Sequence, residues 1–305
     1  MKFGTRVHPY EVFSDLAAVV DFVQQAEDLG YDYITLPHHT VVPEQYVDTL
    51  SSLWWDPIVM ATHLAAHTKT IRFITTVLVL PQYNPVELAK QLASVDAASG
   101  GRLGIGVGVG WSPEEFGALG ADFATRGRRT EEYIKILRSI WGQDPVSFSG
   151  EYYSFDKLVV QPKPAQQGGI PIYVGGGAAK SIDRAARLGD GWAPVSCGFQ
   201  EFVQNLSVIR EKLNEYGRPE DSFSIIRHLK MFEIAPWINE HLVRANGSHE
   251  ESFEGDYVGA ADQARFCEAN GVTHMTVLFM TDYKPMMTEL EKFSLQVIHD
   301  VNSRK

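Results

Sequence analysis

The chain reads as an α/β protein, a (β/α)8 TIM barrel with an inserted β-hairpin and extended strand-end loops. Three observations predict it. Eight apolar stretches of strand length recur along the sequence, and nearly every one is followed by a helical pattern. Such alternation implies crossover helices and a parallel sheet, and eight units of this length close into a barrel more readily than into a doubly wound open sheet, the alternative. Finally, 305 residues suit one such barrel and no composition break marks a second domain, so 1–305 is expected to be a single domain.

In order, Met1 to His8 is the first strand, turned into a loop at His8-Pro9. Ser14 is placed to cap a helix in which Leu16, Val19, Val20, Val23 and Ala26 share a face until Gly30 stops it. Tyr31 to Leu36 is the second strand and ends at Pro37-His38-His39. Asp56 and Pro57 open a helix through His67, and Ile71 to Leu80 forms a long third strand. Pro85 opens the helix Val86 to Ala98, which ends at Ser99-Gly100-Gly101.

Arg102 to Gly110, RLGIGVGVG, is the fourth strand, with glycine at every second position from Gly104. In a strand that alternation puts the glycines on one face, which suits something bulky lying against bare backbone. The string is not a dinucleotide fingerprint, because its glycines lie within the strand and no ribose-binding acid follows at the required distance.

Arg126 to Trp141 is an amphipathic helix, and Val146 to Val160 alternates around Ser149-Gly150 as a hairpin. Ile170 to Val174 is the fifth barrel strand; Asp190 to Val195, Phe223 to Phe232 and His274 to Met280 supply the rest. Phe199 to Tyr216, Tyr257 to Asn270 and Pro285 to Asp300 carry the last helices.

The fifth strand runs straight into Gly175, Gly176, Gly177 and Ala178 before a helix begins. Backbone amides without Cβ atoms approach an anion closely, and the helix dipole favours negative charge there, so the stretch reads as a phosphate cradle. A tight turn that needs glycine only for its dihedral angles is the alternative. In a barrel the active site forms at the C-terminal ends of the strands. Those ends carry His8, His38 and His39, Thr75 to Val77, Val109 to Trp111, Gly175 to Gly177, and Ser196 or Cys197.

A net charge of -11 disfavours nucleic acid and anionic membrane as partners. No apolar stretch reaches membrane-spanning length and the N-terminus has no basic region leading into an apolar run, so a cytoplasmic protein acting on a small molecule is expected. A homodimer is compatible with that. Cys197 and Cys267 are expected as buried thiols, and no metal site is expected.

The combination of the Asp56-Pro57 helix, IRFITTVLVLP, Asn84-Pro85-Val86, AKQLASVDAASGGRLGIGVGVGW and IPIYVGGG with RAARLGDGW resembles the bacterial-luciferase-like superfamily of flavin- and deazaflavin-dependent enzymes. Within it the chain looks most like the branch that uses the deazaflavin coenzyme F420. The likeness runs from about Met1 to Trp192 and returns weakly at Tyr257 to Phe279.

The resemblance implies an oxidoreductase that moves a hydride between F420 and an organic substrate; an FMN-dependent monooxygenase using reduced flavin and O2 is the alternative. The cofactor phosphate would lie on Gly175, Gly176, Gly177 and Ala178, with the ring against Thr76, Val77 and Val109. A non-proline cis peptide at Thr76-Val77 would form a bulge behind the ring. His39 matches a histidine near the reacting carbon in sugar-phosphate-oxidising relatives, a position where imidazole can take an alcohol proton. Adjacent histidines at a strand end point opposite ways, so His38 either contacts the cofactor or is a hydrogen-bonded wall residue.

The chain departs from those relatives where they carry a glutamate, here Trp111, and an aromatic residue, here Pro43. Their acid-base arrangement is therefore expected to be absent and glucose 6-phosphate oxidation disfavoured. Trp111 and His8 would instead wall a pocket for an apolar or aromatic substrate, joined by Trp54, Trp55, Tyr83 and Trp237. Arg126, Arg128 and Arg129 would meet an anionic tail or form a solvated ion-pair network with Glu131 and Glu132.

Overall fold

The computed structural model describes residues 1–194, 197–231, 252–279 and 281–303. Eight strands, all paired in parallel, close into a barrel: β1 (Lys2–Arg6), β2 (Tyr33–Leu36), β3 (Arg72–Val79), β4 (Leu103–Gly108), β7 (Ile172–Gly175), β8 (Gly191–Ala193), β9 (Ser224–Lys230) and β10 (His274–Leu278). Their order around the barrel is β1-β10-β9-β8-β7-β4-β3-β2. The hairpin β5 (Val146–Ser149) and β6 (Ser154–Leu158) forms a separate antiparallel pair. The expected strand ends at Val195, Phe232 and Met280 lie outside the described residues, as do Ser196 and Trp237.

Helices follow the strands where the caps allow them. Asp15, not Ser14, caps α1 (Leu16–Asp28), its carboxylate accepting from the Ala18 amide. Serine lost the position because the chain enters the helix one residue later. The short α2 (Val47–Leu50) and α5 (Pro113–Ala118) were not legible, since neither carries a repeat long enough to show a period. Asp56 caps α3 (Pro57–His67) and Asn84 caps α4 (Pro85–Ser99), each accepting from two amides. α6 (Arg126–Gly142) precedes the hairpin, α7 (Ala179–Leu188) follows the glycine turn, and α8 (Phe199–Glu215) and α9 (Tyr257–Ala269) flank β9.

The last helix starts at Tyr283 rather than at Pro285, which sits inside the first turn of α10 (Tyr283–Phe293). A π-helical turn at Ser294–Ile298 then leads into α11 (His299–Ser303).

Burial is arranged in two layers. Tyr33, Ile74, Tyr173, Ala193 and Ile226 pack inside the barrel, while Phe3, Phe73, Leu88, Ile134 and Trp192 belong to the larger core of buried side chains. Every other residue of a strand faces each layer, which explains the near-continuous apolar runs of parallel strands covered on both faces. The hairpin is tied down by one buried carboxylate: Glu132 accepts from the amides of Glu151, Tyr152 and Tyr153 at 2.7–3.2 Å.

Candidate active site

The glycine turn places Gly175 at the end of β7 and makes Ala178 the N-cap of α7. Gly176 has φ +96, and a Cβ there would stand 2.8 Å from Ser181 Oγ. Among the described residues the amides of Gly177 and Ala178 donate to no backbone acceptor. These are the orphan donors of a helix start, and a bare backbone with free amides fits a phosphoryl group. One feature opposes it: Glu201 Oε1 lies 3.4 Å from where a Cβ on Gly177 would be.

Beside the cradle, the peptide Thr76-Val77 is cis, and the β3–β4 register shifts between Thr75 and Leu78. The bulge explains two of the alternating glycines, Gly106 and Gly108, while Gly104 faces Tyr173 and Gly110 faces Phe116 and Val79. A Cβ on Gly106 would come 2.2 Å from the Thr75 carbonyl oxygen, one on Gly108 2.5 Å from Val77 Cγ2, and one on Gly175 3.0 Å from Val77 Cγ1. The bulky object against the bare face of β4 is therefore the β3 bulge itself. Thr76 Oγ1 is buried there without a hydrogen-bond partner. Val109, half-buried, follows β4 directly.

The two histidines after β2 are separated in role. His38 is buried, its Nδ1 accepts from the Val79 amide at 3.5 Å, and its Nε2 lies 2.9 Å from Tyr83 Oη and 3.1 Å from Thr40 Oγ1. Both ring nitrogens are engaged by protein, which ties the end of β3 to the loop after β2. Burial pushes its pKa down to about 4, against smaller opposing effects of Glu115 and Asp56.

His39 instead meets aromatic edges. Its ring lies 4.8 Å from Trp54 and 5.8 Å from Trp111, both nearly perpendicular. His8 stacks on Trp54 at 4.5 Å, and Tyr46 sits edge-on to Trp111 at 5.0 Å. Burial, reinforced by Arg6 and His39, lowers the His8 pKa to about 3, so that ring is neutral. The structure thus gathers His8, His39, Trp54 and Trp111 into one aromatic wall. Trp111 keeps 48% of its surface exposed. Tyr83 belongs to His38, and Trp55 is exposed.

One residue escaped sequence reasoning. Glu115, on α5, is 2% exposed, and its Oε2 lies 3.4 Å from His39 Nδ1. Burial pushes its pKa up, but His39 and the Thr40 amide outweigh that and hold it down to about 2. The local signal was Ser112 three residues before it, the spacing of a capping box. That pattern predicts a carboxylate turned back to its own helix, not one reaching the loop after β2.

The basic cluster is structural. Arg126 donates to the carbonyls of Gly110 and Phe123, Arg128 pairs with Glu151, and Arg129 donates to Thr125. Glu131 pairs with Arg184 and Arg187 on α7, and Glu132 holds the hairpin, so the expected network with those two carboxylates does not form. Cys197 and Cys267 are buried and form no disulfide. Among the described residues no cluster could hold a metal ion and no helix is long and apolar enough to cross a membrane.

Comparison with known proteins bears on the family and the fold. A family model described as luciferase-like monooxygenase matches residues 1–232. The F420-dependent glucose-6-phosphate dehydrogenase of Kineococcus radiotolerans is 32% identical over 221 residues, covering 70% of this chain and 63% of that protein. The FMNH(2)-dependent dimethylsulfone monooxygenase of Pseudomonas putida is 36% identical over 138 residues, 44% of this chain and 38% of its own. Among solved structures, an F420-dependent secondary alcohol dehydrogenase in complex with an F420-acetone adduct superposes with a TM-score of 0.78 at 19% identity, covering 98% of each chain.

Proposed function

The chain belongs to the luciferase-like monooxygenase family, and we propose that within it the protein is an oxidoreductase moving a hydride between coenzyme F420 and a small apolar or aromatic substrate. The observation that carries this reading is the continuity of three parts. The free amides of Gly177 and Ala178 end the strand whose Gly175 abuts Val77, and β3 is tied beyond Val77 to His38, next to His39 and its tryptophans.

The residues present fit such a cofactor. Gly175, Gly176, Gly177 and Ala178 would hold its phosphate, while Thr76, Val77 and Val109 would back its ring; Thr76 Oγ1 has an unspent hydrogen bond to offer. When bound, the deazaflavin supplies the hydride donor or acceptor. His39 would hold or take the proton at the substrate heteroatom, and His8, Trp54 and Trp111 would exclude water and orient an apolar body. His38, with both nitrogens spent, would act by keeping the bulge in place.

Relatives of both kinds match the chain, an F420-dependent one over 70% of it at 32% identity and an FMNH(2)-dependent one over 44% at 36%. The second reading is an FMN-dependent monooxygenase using reduced flavin and O2 on the same cradle. Thermal-shift measurements with each cofactor decide between them. Stabilisation by F420 is expected; stabilisation by reduced FMN and none by F420 would reverse the assignment.

A further inference from the structure

We propose that Glu115 is the positioning residue of His39: its carboxylate keeps the imidazole proton on Nδ1 and leaves the lone pair of Nε2 free to accept a proton. The inference rests on His39 being the proton-handling group of the preceding section.

A carboxylate buried to 2% exposure needs partners, and Glu115 has found them outside its own helix. Oε1 accepts from the amides of Thr40 at 2.7 Å and Val41 at 3.3 Å. Oε2 faces His39 Nδ1 at 3.4 Å, across side chains that are 13% and 3% exposed. One carboxylate therefore fixes the backbone after His39 and stands within ion-pair range of the ring. Ser112 Oγ accepts from the Glu115 amide at 3.2 Å, as a cap should, yet the carboxylate does not return to the helix start.

The ring has few other ways to sit. Its faces are bounded by the edge contacts with Trp54 and Trp111, and its Nδ1 atom is buried and completes no hydrogen bond in this arrangement, Glu115 standing within ion-pair range. Among the described residues His39 makes no other ion pair, so the only anionic acceptor at Nδ1 is Glu115. At 3.4 Å the contact is longer than an aligned N–H···O bond, as proton-handling pairs often are before a substrate binds. A nitrogen facing a carboxylate carries the proton, and the opposite nitrogen then carries the lone pair. If an alcohol is oxidised, its C–H and O–H bonds break as C=O forms: the hydride goes to the cofactor and the hydroxyl proton to Nε2.

The test is the tautomer of His39 in the protein without cofactor, read from its imidazole 15N shifts at a pH where the ring is neutral, with His39→Gln used to assign the signals. Wild type is expected to be predominantly the Nδ1–H form. Glu115→Gln retains an oxygen for the Thr40 and Val41 amides but presents an NH2 group to the ring, so the population should move to Nε2–H. Glu115→Asp, which keeps the charge, should restore Nδ1–H in part. A wild-type ring protonated on Nε2, or a tautomer unchanged in Glu115→Gln, overturns the proposal; the wild-type spectrum decides alone if the variant does not fold. The cofactor reading fails separately. A protein that holds Nδ1–H but binds neither F420 nor flavin sinks the proposed function and leaves the pair, and F420 binding to a wild-type Nε2–H ring does the reverse.

Discussion

Val77 Cγ2 stands 2.5 Å from the point where a Cβ on Gly108 would be. The side chain that crowns the β3 bulge therefore occupies the space that the fourth strand vacates. Valine has little rotamer freedom with which to retreat. Gly108→Ala is expected to cost about 1–3 kcal/mol of stability in urea unfolding. Adding Val77→Ala should recover most of the loss; equal stability of the single variant and wild type would show that the two strands do not need this fit.

Gly176→Asp should abolish cofactor binding while the barrel still folds. The change puts a carboxylate beside the free amides, at a residue whose φ of +96 already disfavours a side chain. Cofactor titration and circular dichroism read the two halves of the statement. Unchanged affinity would mean that the phosphate is held elsewhere.

Glu201 sets up the opposite experiment. Its Oε1 is 3.4 Å from the Cβ position of Gly177, so it repels whatever charge the cradle takes. A phosphomonoester such as that of FMN carries nearly two negative charges at neutral pH, and the phosphodiester of F420 carries one. Glu201→Gln should tighten FMN binding roughly three- to tenfold and F420 binding less. Equal gains for both, measured by fluorescence titration, would remove Glu201 from cofactor choice.

Buried His38 gives stability a pH dependence. Burial holds its pKa at about 4 against 6.5 in an exposed chain, so between those values the unfolded protein binds a proton that the folded one refuses. Stability is therefore complete above about pH 6.5 and falls as the pH drops towards 4, by about 3 kcal/mol from this residue. His8, lowered to about 3, acts with the same sign. Glu115 works in a lower window: held at about 2, its contribution is present above the ordinary carboxylate range and is lost only as the pH falls through and below it. Urea midpoints from pH 7.5 to 4.5 should fall less steeply in His38→Gln than in wild type. Parallel curves would show that the ring titrates alike in the folded and unfolded protein.

The barrel was legible because its signals are local and repeated. Strand-length apolar runs, Asp56 and Asn84 before prolines, and Gly100 after a helix each announce an element without reference to the rest of the chain. The glycine turn was legible for the same reason, three glycines standing between a strand and a helix. What faces the glycines of β4 was not, since a strand pattern says that one face is bare and nothing about which side chain fills it. Val77 fills it only once β3 and β4 are laid side by side.

The sequence by itself determined the order of strands and helices, the alternation that closes them into a barrel, and the set of residues at the strand ends. Tertiary structure alone decided which side chains meet there. His39 and Glu115 are 76 positions apart in the chain, and the capping pattern around Ser112 pointed the carboxylate the other way. A buried carboxylate goes where amide donors await it, and that place exists only after the loop following β2 and the helix after β4 have met at the barrel mouth.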